Sequence, residues 1–123
     1  MELIVTMLQP PSELSPNGRV HWRVKAKLAR SVRYRARVWA QQATHDARVS
    51  NFLPVSYRIV WHYKGRMPDD DNVVARCKAA LDGCCDVFNI DDRLLKLRGV
   101  EKVHALHEPL CGYVDIIFDN GNE

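Results

Sequence analysis

Four segments of the chain have sequence patterns typical of β-strands, two of them with alternating side chains and the others with β-forming composition. Residues 2–8, ELIVTML, are rich in β-forming side chains and end before Pro10 and Pro11, which stop a strand. Residues 55–63, VSYRIVWHY, place larger apolar side chains at every second position. Residues 94–104 and 112–119 are also predicted as strands. These segments indicate one β-sheet.

Two intervening segments have helical periodicity. From about Arg23 to Arg48 there is no Gly or Pro, and an apolar face is predicted from Val24, Leu28, Val32, Trp39 and Ala43. A second helix of about 14 residues is predicted after three consecutive aspartates, with Gly83 weakening its last turn. One stripe of this helix carries Asp71, Ala75, Lys78 and Asp82, and a neighbouring apolar stripe carries Val74, Cys77, Leu81 and Cys84. The order β-α-β-α-β-β predicts a single α+β domain over residues 1–123, a mixed, mostly antiparallel sheet packed against two main helices.

Length and composition narrow the class of protein. A chain of 123 residues that is 46% hydrophobic can bury one core. No run approaches the roughly 18 apolar residues of a membrane span, and the N-terminus lacks a signal-peptide pattern, so we expect a soluble, cytoplasmic protein. Without CxxC spacing, the four cysteines are expected to be reduced, small apolar residues: Cys77, Cys84, Cys85 and Cys111.

Charge is distributed unevenly along the chain. Residues 14–45 contain eight basic residues and no acid, whereas residues 69–92 contain seven aspartates against only Arg76 and Lys78. A basic segment suits a polyanion, and a dense acidic cluster suits a hard cation. The basic residues expected to contact phosphates are Arg19, Arg23, Lys25, Lys27, Arg30, Arg33 and Arg37. With no acid at i+4 they lack the usual intrahelical ion pairs, which favours a nucleic-acid surface over an ordinary solvated face.

The acidic cluster at Asp69, Asp70 and Asp71 has two interpretations. Aspartates cap helices and interact well with the helix dipole, so one or two of them need no other function. Alternatively, Asp91 and Asp92 return to the same place after the helix and complete a metal site. An EF-hand is excluded because position 73 is valine and the turn glycine is absent.

Other catalytic patterns are absent from the sequence. There is no phosphate-binding GxxxxGK[ST] loop, no GxGxxG and no GxSxG. The histidines have no metal-ligand spacing and are expected to be surface or strand residues: His21, His45, His62, His104 and His107. Triphosphate and acyl-enzyme chemistry are therefore disfavoured.

Four quoted segments together resemble a known family. The early loop PPSELSPNGRVHW, the helix opening PDDDN, the segment KAALDG and the later IDDR are similar to those of the RusA-type Holliday junction resolvases, which are common in bacterial prophages. The resemblance covers most of the chain in element order, and its specific part is Pro68 to Arg93. It implies a homodimeric, Mg²⁺- or Mn²⁺-dependent endonuclease that cuts four-way DNA junctions in recombination and repair, encoded by a bacterium or phage.

The resemblance also implies roles for individual residues. Asp69 and Asp71 would be metal ligands, with Asp92 as the third carboxylate and Asp91 as the alternative. The family uses a lysine on the helix, but Ala75 stands where the pattern expects it, so Lys78 is the candidate that substitutes. Two rival functions remain open: another metal-dependent nuclease acting on flaps, single strands or RNA, and a non-catalytic DNA-binding protein.

Overall fold

A computed structural model describes residues 1–105 and 112–122, so the predictions for His107 and Cys111 lie outside the described residues. The elements are β1 (Glu2–Leu8), α1 (Trp22–Asp46), β2 (Ser56–Tyr63), α2 (Asp70–Phe88), β3 (Lys96–His104) and β4 (Tyr113–Asp119). Short 3₁₀ turns occupy Ser12–Leu14 and Asp92–Leu94. The predicted element order and the α+β class are confirmed. No helix in the described part of the chain is long and apolar enough to cross a membrane.

The four strands form one mixed sheet in the order β1-β4-β2-β3. Strand β4 is antiparallel to both of its neighbours, and β3 is parallel to β2. Parallel neighbours require a crossover connection, which α2 provides. The start of α2 therefore follows the C-terminal end of β2, while residues 91–93 precede the N-terminal end of β3. This topology assigns the two acidic segments to opposite ends of α2.

The contact between α1 and α2 depends on small residues. A Cβ atom placed on Gly83 would lie 2.2 Å from the carbonyl oxygen of Arg33 and 2.9 Å from the Cβ of Ala36. Gly83 therefore allows the two helices to approach closely, and α2 continues beyond it to Phe88. The prediction that Gly83 weakens the last turn of a 14-residue helix is wrong, because tertiary packing outweighs the low helix propensity of glycine.

The buried face of α1 also differs from the predicted one. Its buried residues are Val32, Ala36 and Ala40, whereas Val24 and Trp39 are 47% and 48% exposed. Small side chains occupy the contact face because the backbone of α2 lies so close to it. The larger apolar residues are displaced to the margin of the interface.

The core lies between the two helices and one face of the sheet. It contains Val5, Ile59, Ile116 and Phe118 from the strands and the apolar side of α2. Cys77, Cys84 and Cys85 are buried and free, so the prediction that they are small apolar residues is confirmed for these three. Burial raises the pKa of both Cys77 and Cys85 to about 12. These thiols are therefore packing groups rather than nucleophiles.

Candidate functional site

The three consecutive aspartates begin α2 and have different environments. Asp69 is the N-cap residue, with an extended backbone, but its side chain makes no capping hydrogen bond. The carboxylate of Asp70 lies 2.6 Å from the ammonium of Lys102 on β3. Asp71 is exposed on the first turn. Among the described residues, Asp69 and Asp71 thus keep carboxylates that no side-chain cation neutralises, at a helix end whose dipole favours negative charge.

Lys78 connects α2 to the segment that follows it. Its ammonium donates to Oδ1 of Asp82 at 2.8 Å and to Oδ2 of Asp92 at 2.5 Å. Partial burial opposes the charge, but the hydrogen bonds to the two carboxylates raise the pKa of Lys78 overall. The ammonium therefore stays charged at neutral pH. Asp82 joins this cluster through the i, i+4 spacing that already placed it on the Lys78 stripe.

Lys78 and its partners line a groove of about 430 Å³ between α1, α2 and residues 90–93. The groove is lined by four acidic side chains, Asp82, Asp86, Asp91 and Asp92, and by three basic ones, Arg33, Lys78 and Arg93. Every carboxylate in it has a protein cation as partner. The groove is therefore close to electrically balanced.

Asp91 and Asp92 are neighbours with different partners. Oδ1 of Asp91 accepts from the backbone N–H of Arg93 at 2.9 Å, capping the 3₁₀ turn, and the guanidinium of Arg93 donates to the same carboxylate. These hydrogen bonds lower the pKa of Asp91 to about 2. Asp92 instead faces Lys78. Of the two candidates for the third ligand, Asp92 is the one directed toward α2.

The described residues do not bring the three predicted metal ligands together. No group of three His, Cys, Asp or Glu side chains that could hold a metal occurs in residues 1–105 and 112–122. Asp71 precedes Lys78 by about 10 Å along the helix axis. Because α2 is longer than predicted, the chain after it returns only as far as Lys78. By type the carboxylates suit a hard divalent cation, but Asp92 is held at Lys78, about two helical turns beyond Asp71.

Two predicted phosphate-binding residues of α1 have partners within the protein. Arg33 donates to both carboxylate oxygens of Asp86 at 2.8 Å, which ties α1 to α2. This hydrogen bonding lowers the pKa of Asp86. Lys25 donates to the backbone oxygen of Ser15 at 3.1 Å and anchors the preceding loop. Asp86 was missed because its partner comes from another helix, beyond any i, i+4 pattern.

The remaining predicted cations of α1 lie on its outer face. Positions 23, 27, 30, 34 and 37 follow helical spacings of 4, 3, 4 and 3, and all five residues are exposed: Arg23, Lys27, Arg30, Tyr34 and Arg37. We call this row the basic stripe. Arg19 is exposed in the loop before the helix. The helix has no acid before Asp46, so the stripe presents uncompensated positive charge.

Sequence reasoning also missed a polar network that joins β1, β4 and β2. Nε2 of His62 lies 3.0 Å from Oδ2 of Asp115, and the hydroxyl of Thr6 donates to Oδ1 of Asp115 at 2.6 Å. The expectation that His62 is a strand histidine is confirmed. Thr6, His62 and Asp115 lie on the same side of the sheet, but this is known only once the strand register is known, so the sequence gives no sign of their pairing.

Comparison with known proteins gives no activity. No protein-family model matches the chain. The chain is 39% identical over 94 residues to a protein of Xylella fastidiosa (strain Temecula1) described as an uncharacterized protein, a match that covers 72% of this chain and 60% of that protein. The chain thus spans less than two thirds of that relative's length. Functional inference therefore depends on the side chains described above.

Proposed function

We propose that the protein is a metal-dependent endodeoxyribonuclease of the RusA type that resolves four-way DNA junctions by paired, symmetric phosphodiester cuts. The observation that supports this most is the position of the Lys78 ammonium. It lies 2.5 Å from Asp92 and on the α2 stripe that begins with Asp71. Lys78 thereby joins α2, whose first turn follows Asp69 and carries Asp71, to the later acidic segment at Asp92.

The residue types suit phosphodiester hydrolysis. A bound Mg²⁺ or Mn²⁺ would supply an acidified water and neutralise charge on the phosphoryl oxygens. Asp69 and Asp71 would hold the ion, and Asp92 would complete the set only after residues 91–93 moved from Lys78 toward the start of α2. The ammonium of Lys78 would supply a fixed positive charge beside the bound phosphate. No histidine is required as a base.

DNA affinity would come from the basic stripe. Its cations face solvent, and Arg19 extends the positive surface into the loop before α1. Lys25 and Arg33 would support that surface rather than contact phosphates, since both already have partners. Phosphate contacts release counterions, so binding should weaken steeply as salt rises. A homodimer with C2 symmetry would match the two-fold symmetry of a four-way junction and make both cuts.

One observation favours a second candidate, a DNA-binding protein without catalysis. Every carboxylate in the groove already has a cationic partner, so a structural role in joining α1, α2 and the 3₁₀ turn is enough to explain these acids. On this alternative, Asp69 and Asp71 serve only the helix dipole. The two candidates differ in their need for a divalent cation, because binding to phosphates through the basic stripe requires none.

The test is a cleavage assay on a panel of DNA substrates. Purified protein with Mg²⁺ or Mn²⁺ is incubated with a synthetic four-way junction, linear duplex, a flap, single-stranded DNA and RNA of matched sequence. We expect symmetric nicks in the junction and little cutting of duplex. Cutting confined to flaps, single strands or RNA would support a different nuclease. Junction binding without any cutting would support the non-catalytic candidate.

A further inference from the structure

Two aromatic side chains on α1 are strongly exposed, and the proposed cleavage chemistry uses neither. Trp22, the first residue of the helix, is 68% exposed, and Tyr34 is 67% exposed. Burial of a large aromatic side chain removes about 150–250 Å² of surface from water. Two exposed aromatic side chains therefore do not make this contribution to the stability of the fold. Their surroundings indicate what could cover them.

Trp22 is held by its two sequence neighbours. The ring of His21 is stacked on the indole at a centroid distance of 5.6 Å and an interplanar angle of 29°, and the guanidinium of Arg23 lies 5.3 Å from the indole centre. Nδ1 of His21 accepts from the backbone N–H of Arg23 at 3.1 Å, which caps the helix. The indole is therefore anchored at the first turn of a rigid element while most of its surface remains accessible.

Tyr34 lies within the basic stripe, in its C-terminal half. It fills the position between Arg30 and Arg37, and the stripe extends about 21 Å from Arg23 to its last cation. Trp22 stands beside the first cation, about 18 Å from Tyr34 along the helix axis. Tyr34 thus shares the exposed face of the cations, while Trp22, about 100° round the helix from Arg23, adjoins that face through its contact with the Arg23 guanidinium.

This arrangement distinguishes between classes of partner. A helix that lies on a membrane places its aromatic residues opposite its cations, whereas here Tyr34 lies among the cations and Trp22 contacts the first of them. Double-stranded DNA can use the cations, but its bases are stacked and offer no free face to an indole. Unpaired nucleic acid offers both phosphates for the cations and base faces for the rings.

We propose that Trp22 stacks on an unpaired base of bound DNA while the cations of the basic stripe contact the flanking phosphates, with Tyr34 as a second stacking position. The inference rests on the DNA-binding part of the proposed function and is independent of metal and cleavage. A junction presents such bases at its crossover, and single-stranded DNA presents them throughout.

The test compares two DNA ligands without metal. Binding of a fluorescent oligothymidylate and of a duplex of the same length is measured by anisotropy in EDTA, for the parent and for Trp22→Ala. Loss of one stacked base should weaken single-strand binding about tenfold. Duplex binding should change less than about twofold, since phosphate contacts dominate it. Trp22→Phe should retain most of the single-strand affinity.

Trp39→Ala is the matched control, because Trp39 is 48% exposed but lies outside the basic stripe. It should leave both affinities unchanged, and circular dichroism should show that all variants are folded. If Trp22→Ala weakens both ligands equally or neither, stacking is refuted while DNA binding stands. If the parent binds neither DNA, the proposed function and this inference are both overturned.

Discussion

Replacement of Gly83 by alanine tests how α1 and α2 are held together. In an exposed helix this substitution stabilises by about 1 kcal/mol, because alanine has the higher helix propensity. Here the new methyl group would meet the carbonyl oxygen of Arg33 at 2.2 Å and the Cβ of Ala36 at 2.9 Å. Both atoms belong to a rigid helix that cannot move aside as a flexible side chain would. We therefore expect the sign of the effect to reverse.

The magnitude follows from two opposing contributions. Overpacking of a close contact costs about 1–3 kcal/mol, and a backbone oxygen at 2.2 Å places this site at the upper end. After subtraction of the gain in helix propensity, we expect a net loss of about 2 kcal/mol in the free energy of unfolding. Displacement of α1 would also disturb the bidentate pair between Arg33 and Asp86, which lines the groove.

Urea denaturation followed by circular dichroism measures this loss directly. Gly99→Ala in β3 is the control without a steric clash, since a Cβ on Gly99 meets nothing within 4 Å, and it should not destabilise the protein. A Gly83→Ala variant that is as stable as the parent, or more stable, would refute the packing account of this helix pair. In that case Gly83 would be an ordinary helical glycine.

Two further predictions concern Lys78 and Cys77. Lys78→Ala should keep the fold, because the side chain is 57% exposed and exposed ion pairs contribute about 0–1 kcal/mol to stability. Junction cleavage by this variant should fall at least about 100-fold. Cleavage at the parental rate would show that Lys78 is not part of the site. The pKa of Cys77 is raised by burial from 9.0 to about 12, so its contribution to stability is full below pH 9 and is lost as pH rises toward 12. The Cys77→Ala variant should therefore lose stability less steeply than the parent over this range, by up to about 1.4 kcal/mol per pH unit in urea titrations, and equal slopes would contradict the assignment.

Strand positions could be predicted because alternation along a strand reports which side is buried. Strand β1 has the bounds expected from the sequence, and the other three begin within two residues of their predicted starts. The mixed, mostly antiparallel sheet is also confirmed. Each strand carries this information locally, in its own side chains.

Helix packing could not be read in the same way. A glycine in a helical pattern has the same local appearance whether it ends the helix or admits a neighbour, and only the position of Ala36 distinguishes the two at Gly83. Similarly, the apolar character of Trp39 suggested a core position, although the close approach of α2 leaves room only for small residues at the centre of the contact.

The candidate site was predictable in part. Helical periodicity placed Asp71, Lys78 and Asp82 on one stripe, and the structure agrees for the Lys78–Asp82 pair. Where Asp92 would lie depended on the length of α2 and on the crossover to a parallel strand, neither of which is encoded near Asp92 itself. The pairing of Asp70 with Lys102 likewise joins residues that only the fold brings together.

The most direct test of the proposed metal site compares junction cleavage in Mg²⁺ by the Asp71→Asn and Asp70→Asn variants. Asp71 is exposed and is a proposed metal ligand, whereas its sequence neighbour Asp70 is occupied by Lys102 at 2.6 Å. Asp71→Asn should abolish cleavage and leave junction binding in EDTA intact, and Asp70→Asn should retain cleavage. If Asp71→Asn cuts at the parental rate, or if both variants lose activity equally, the proposed metal-dependent site is contradicted.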